Sequence, residues 1–157
     1  LANEFCQLFT KLRDVPGDAW EVGPYVYQGS GFEPPLDAHV NLWVGGNSLA
    51  ARRRTARWGD GWQPTGLTVE AMQMGIAELR EFCQEAERDF SALEIGLRLR
   101  IRPTPEASPH YIGDLLGPYI DAGVRDFLLE INTRDRQRGL ESIDRVVASA
   151  QLAGFIS

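Results

Sequence analysis

Lysine is almost missing from this sequence: Lys11 is the only one among 16 basic side chains, and the rest are arginine. Lys11 also sits in the opening helical stretch, outside any strand expected to carry chemistry, which argues against Schiff-base catalysis. Cysteine is equally scarce. Cys6 and Cys83 lie far apart, and their spacing matches neither a metal site nor a redox pair. Each stands in helix-like sequence, so both read as small buried hydrophobes in a reducing, cytoplasmic protein. The two histidines, His39 and His110, fall in a proline-rich loop and at a helix start. Neither has a ligand partner at useful spacing, so no metal site is expected. No Ser-His-Asp arrangement, nucleophile elbow or carboxylate pair for glycoside hydrolysis stands out. Positive charge is in deficit overall. A formal net charge of −6 speaks against phosphate-backbone binding, so nucleic acid is not an expected partner. No apolar run reaches the roughly 20 residues that cross a bilayer. The start, LANEFCQLFTKLRD, has neither the basic lead nor the continuous apolar core of a secretory signal. It opens on Leu1 rather than Met, and the expectation is a fragment or a processed chain.

What is present is strong periodicity. Residues 2–14 place Phe5, Leu8, Phe9 and Leu12 at helical spacing, and Pro16-Gly17 ends that helix. Residues 20–28 carry β-formers around Gly23-Pro24, and 29–40 read as a Gly- and Pro-rich loop. From residue 41 the pattern alternates. Asn41 to Val44 is a short apolar run ending in Gly45-Gly46, and Ser48 to Trp58 is a helix. Gly59-Asp60-Gly61 is a turn before a very short strand at Trp62, with Asp60 bonding its own backbone. Thr68 to Arg88 is a long helix capped by Thr68. Its stripe is Val69, Met72, Ile76, Leu79, Cys83 and Ala86, and methionine there is core filler. Leu93 to Ile101 alternates strictly, Pro109 to Asp121 is a helix closed by Gly123, Arg125 to Ile131 is a strand, and Leu140 to Leu152 closes the chain. Four strand–helix units in series imply parallel βα architecture. An open doubly wound sheet and half of an eight-stranded barrel both satisfy that pattern.

The most informative local feature is Gly45-Gly46-Asn47-Ser48. Two glycines after a strand let backbone approach a ligand closely, and Asn47 or Ser48 can cap the next helix. The first amides of that helix lack internal partners and lie at its positive end, where a phosphate fits. A tight turn that needs glycine for packing alone explains the same residues. Arg52, Arg53, Arg54 and Arg57 follow and read as a solvated helix face. Trp62 has two readings as well: a residue at the mouth of a barrel, near a ligand, or a large core side chain.

The stretch LWVGGNSLAARRRTARWGDGWQP, residues 42–64, resembles the luciferase-like monooxygenase superfamily. It has an apolar strand ending in Gly-Gly (Trp43 to Gly46), a helix rich in Ala and Arg (Leu49 to Trp58), and Gly59-Asp60-Gly61-Trp62. Upstream, Glu4 in an amphipathic helix, Gly23-Pro24-Tyr25-Val26-Tyr27 and Pro34-Pro35 are similar too. Downstream, SALEIGLRLR and DAGVRDFLLEI resemble the last two barrel strands. The resemblance covers nearly the whole chain. It implies one portion of a TIM (β/α)8 barrel over 1–157, roughly the fifth to eighth βα units, with a lead-in helix, β excursion and loop over 1–40 and four units over 41–157. It also implies a flavin mononucleotide (FMN) or deazaflavin (coenzyme F-420) cofactor whose phosphate is held by Gly45, Gly46, Asn47 and Ser48, with Trp62 nearby, and a small-molecule substrate. Catalytic groups are expected in the other half of such a barrel, so none is assigned here. The isolated chain is expected to be inactive, and a homodimer is possible.

In the strand at 93–102, Arg98 and Arg100 share the face opposite Leu97 and Leu99. The apolar face should meet helices, which sends the arginines toward the barrel axis. Buried guanidinium groups need partners, and Asp126 and Glu130 have matching parity on the next strand. An inward, buried Arg98/Arg100–Glu130 network is expected, with a structural role favoured over the positioning of an anionic substrate or coenzyme tail. Two further functions fit the pattern. One is a non-catalytic half-barrel that binds a phosphorylated ligand or pairs with another chain. The other is a different phosphate-handling barrel, such as a sugar-phosphate isomerase or an aldolase, which Lys11's position disfavours.

Overall fold

The computed structural model describes residues 1–14, 19–29 and 40–156. Pro16-Gly17, most of the 29–40 loop, Pro34-Pro35 and His39 lie outside the described residues. The elements are α1 (Ala2–Asp14), β1 (Ala19–Val22), β2 (Tyr25–Gln28), β3 (Trp43–Gly45), α2 (Leu49–Trp58), β4 (Gly61–Gln63), α3 (Val69–Glu85), a 3-10 turn (Phe90–Ala92), β5 (Glu94–Ile101), α4 (Tyr111–Ala122), β6 (Asp126–Ile131) and α5 (Arg136–Leu152). Strands β3 to β6 form one parallel sheet in chain order, each followed by a helix. That is the α/β class and the architecture of a partial (β/α) barrel. The chain divides into two compact units, Leu1–Trp62 with Glu78–Glu94, and Gln63–Ala77 with Ile95–Ser157.

In the first unit β1 and β2 form an antiparallel hairpin with Val22 opposite Tyr25, turning through Gly23 at φ +56°. Helix α1 packs on this hairpin and on α2. Cys6 and Val22 are buried there, and the Lys11 ammonium lies 4.0 Å from the centre of the Trp20 ring. The core of the unit gathers Val44, Ala51, Thr55, Ala56, Trp62, Leu79, Cys83 and Leu93. The glycines of the Gly59-Asp60-Gly61 turn are set by packing. A Cβ on Gly61 would lie 2.7 Å from the Trp43 ring, and one on Gly59 would lie 3.0 Å from the Thr55 backbone. Asp60 does more than fold its own turn. Its Oδ2 accepts from the Leu42 amide at 2.7 Å and from Arg13 Nη1 at 2.5 Å, which ties α1 to the entrance of β3. The carboxyl of Asp14 and then that of Asp60 raise the pKa of the Arg13 guanidinium, against the opposing cost of burial.

In the second unit β5 and β6 pair in parallel from Gly96–Asp126 to Ile101–Ile131. Ile95, Leu97, Leu99 and Ile101 are buried on one face, as the alternation requires. Complete burial of a side chain such as Leu97 contributes about 1.5–3 kcal/mol. Ile112 and Leu116 of α4 join this core, and Gly123 closes α4 in the left-handed region at φ +109°, its amide donating to Ile120 O and Tyr119 O. The side chain of His110, just before α4, makes no capping bond. The buried Ser149 hydroxyl of α5 instead accepts from the Ile112 amide at 2.9 Å.

Three boundaries differ from the sequence reading. Helix α3 ends at Glu85 rather than Arg88, and Glu87 takes φ +53°, so the chain turns before the arginine. Helix α5 begins at Arg136, a full turn before Leu140, because Asp135 caps it by accepting from the Arg138 amide. Met72 fills the core as expected, but Met74 is 66% exposed on the opposite side of α3.

Candidate functional site

Strand β3 ends on Gly45, and its neighbour Val44 is buried as an anchor. The chain then passes through Gly46 at φ +110°. This backbone region disfavours side chains, so Gly46 is required by conformation; a Cβ there would make only an ordinary 3.5 Å contact with Ala51. Ser48 is the N-cap of α2, its Oγ accepting from the Ala51 amide at 3.2 Å while its carbonyl accepts from the Ala51 and Arg52 amides. Sequence alone left Asn47 and Ser48 as rivals for that role. Gly45, Gly46, Asn47 and Ser48 are all exposed. The turn thus presents open backbone at the start of a 10-residue helix, where amides without intrahelical partners and the helix dipole favour an anion.

Two side chains lie behind the turn, Trp62 and Arg52. Trp62, read from the sequence either at a barrel mouth or in the core, is fully buried. Its indole Nε1 donates to Gly46 O at 3.0 Å, so it is a wall behind the turn rather than a surface in front of it. Arg52, expected in water, has a side chain only 13% exposed. Its Nη1 donates to Asn47 O at 2.8 Å, its Nη2 pairs with Glu78 at 2.5 Å, and its guanidinium carbon lies 5.7 Å from the centre of the Trp62 ring. Apolar and charged neighbours recruit this one member of the arginine run because it lies one helical turn after the cap, where its stem can fold back. Arg53 and Arg57 do face out, each over an aromatic ring, Phe82 and Trp58. Arg88, which carried no role in the sequence reading, caps the far end of α2, with Nη1 donating to Thr55 O, Ala56 O and Gly59 O. Glu78 and Arg88 had no local signal, since both act on residues 26 to 33 positions away along the chain.

The Arg98/Arg100–Glu130 cluster exists as predicted, with Arg98 Nη2 at 2.9 Å and Arg100 Nη2 at 3.3 Å from the Glu130 oxygens. Its burial does not. The arginine side chains are 46% and 57% exposed and that of Glu130 is 30% exposed. Partial burial works to raise the Glu130 pKa, but hydrogen bonding and the charges of both arginines prevail and hold it below the usual carboxylate range. Asp126 shares the face by parity but forms none of the ion pairs found among the described residues. Among those residues no group of three or more His, Cys, Asp or Glu could hold a metal ion, and no helix is long and apolar enough to cross a membrane.

Comparison with known proteins places these features in a family. The sequence profile of the luciferase-like monooxygenases matches residues 4–151. No curated protein matches the chain. Among solved structures, an F420-dependent secondary alcohol dehydrogenase bound to an F420-acetone adduct is 12% identical with a TM-score of 0.77, over 93% of this chain and 60% of its own. A riboflavin lyase holding modified FMN and riboflavin is 11% identical with a TM-score of 0.75, over 99% and 57% respectively. The coenzyme F420-dependent tetrahydromethanopterin reductase of Methanopyrus kandleri is 8% identical with a TM-score of 0.68, over 90% and 60%. At these identities the likeness is one of fold, and the chain spans about three fifths of the length of these structures. With a family profile covering nearly every described element, the chain belongs to the luciferase-like monooxygenases.

Proposed function

We propose that this chain is the cofactor-phosphate-binding part of a flavin- or deazaflavin-dependent oxidoreductase. The observation that carries the reading is the exposed Gly45–Ser48 backbone ahead of α2, with Gly46 in a conformation reserved for glycine and Ser48 already capping the helix. Family membership gives that turn a ligand class. Relatives of the same fold are an F420-dependent dehydrogenase and a lyase holding modified FMN, both phosphate-bearing cofactors. Gly45, Gly46, Asn47 and Ser48 would hold the phosphate through main-chain amides. Trp62 and Arg52 would support them from behind. When bound, the ring system supplies hydride transfer or oxygen activation, and this chain's contribution is binding and orientation. No catalytic residue is assigned to it. The free, buried cysteines fit a reducing cytoplasm.

The test separates phosphate from ring. FMN and riboflavin share the same ring and differ by the phosphate. Fluorescence titration of the full chain should show FMN bound roughly tenfold or more tightly than riboflavin, a difference of about 1.4 kcal/mol, with inorganic phosphate competing. Equal affinity for the two, or no competition, overturns the reading. A second reading, a non-catalytic half-barrel that pairs with another chain, draws on the partly exposed Arg98, Arg100 and Leu128 face. A size-exclusion mass of two or more copies without FMN binding would favour it.

A further inference from the structure

We propose that a cleft in the second unit, between the 103–109 loop and α5, binds a small aromatic monocarboxylate. The cleft has a volume of about 230 Å³. Benzene occupies a protein cavity of about 150 Å³, so a single ring with a carboxyl group fits. One wall is written in the loop sequence. Pro103, Pro105 and Pro109 line it, and each fixes its own φ and lacks an amide donor. The amides of Ala107, His110 and Tyr111 are already bonded within the loop, to Thr104 O, Ser108 Oγ and Ser108 O. That side offers chiefly apolar surface in a preset shape.

The opposite wall is one face of α5, where Arg145, Ala148, Ser149 and Leu152 recur at helical spacing. Leu152 is 61% exposed, apolar surface that a bound ring would take out of water. Two side chains on this face carry unused donors. Arg145 forms an ion pair with Glu141 one turn earlier, at 3.8 Å, too long for a hydrogen bond. Its guanidinium makes no hydrogen bond among the described residues. Ser149 is 4% exposed, and its hydroxyl accepts from the Ile112 amide at 2.9 Å. The proton of that hydroxyl has no acceptor among the described residues. One cation and one hydroxyl donor in an otherwise apolar cleft match a singly charged acceptor on an apolar body. Inorganic phosphate would leave the proline and leucine surface in water. Such a ligand needs no cofactor at the Gly45–Ser48 turn.

Benzoate titrated into the full chain, followed by 1H–15N NMR, should shift the amide resonances of Tyr111, Ala148 and Leu152. Benzamide keeps the ring without the charge, and acetate keeps the charge without the ring. Each should bind roughly tenfold or more weakly than benzoate. Arg145→Met should weaken benzoate by a similar factor and leave benzamide unchanged. Ala148→Phe, at an exposed position, should fill the cleft and abolish the shifts. Circular dichroism reports whether each variant folds, and the three-ligand comparison on wild type stands without them. No shift with benzoate, or shifts confined to other residues, overturns the site. Benzamide or acetate binding as tightly as benzoate overturns the ligand class. Unchanged benzoate affinity in either folded variant overturns the assigned α5 wall.

Discussion

The β3–α2 turn and the β5–β6 arginine cluster both place strong hydrogen-bonding groups near strands, yet they are built in opposite ways. At the turn the polar groups on view are main chain, and the side chains that organise them, Trp62 and Arg52, are tucked behind. On β5 and β6 the groups on view are the long side chains themselves, Arg98, Arg100 and Glu130, on a partly exposed strand face. The difference teaches where energy resides. A buried donor that loses its partner costs the full desolvation penalty, about 1–3 kcal/mol, whereas an exposed ion pair is screened and contributes little.

Three substitutions sharpen that contrast. The largest effect is expected at Trp62. Trp62→Ala removes a fully buried indole and should cost about 3–5 kcal/mol in chemical denaturation. A loss below about 1 kcal/mol would mean that the wall behind the turn is not part of the core. Gly61→Ala comes next. Its new methyl would sit 2.7 Å from the Trp43 ring, and overpacking of this kind costs about 1–3 kcal/mol. A melting temperature equal to wild type would show that Trp43 moves freely aside. The smallest effect is expected at Arg98→Met. Stability should barely change, but the Glu130 carboxyl should titrate closer to its ordinary range when followed by NMR. The sign follows from the depressed pKa of Glu130 in the folded chain. The cluster's contribution is present above the unfolded carboxylate value and is lost as pH falls through the folded one. An unmoved titration would dissolve the cluster as an energetic unit.

Much of the fold was legible because it is periodic. Ile95, Leu97, Leu99 and Ile101 announce β5 by alternation, and Met72, Ile76, Leu79 and Cys83 announce α3 by helical spacing; all eight are buried. The β3–α2 turn was legible too, since glycine after a strand and serine before a helix are local signals. What escaped the sequence is pairwise and distant. The arginine run of α2 carries one charge pattern, but Arg52 folds back while Arg53 and Arg57 face out, a difference set by Glu78 and Trp62 from other elements. Asp60 looked like a residue serving its own turn, yet its carboxylate is shared by Leu42 and Arg13. The parity of Arg98 and Glu130 was readable from two strands, while their exposure depends on what covers the face, which no strand encodes.

The guanidinium of Arg88, seated on three carbonyls at the exit of α2, has a consequence for the opposite end of that helix. A short helix ordinarily offers an arriving anion an attractive head and a repulsive tail only about 15 Å apart. Here a fixed cation quenches the tail. What remains at the Gly45–Ser48 end is closer to the field of a lone positive pole, a bias installed by a residue seated at the other end of the helix.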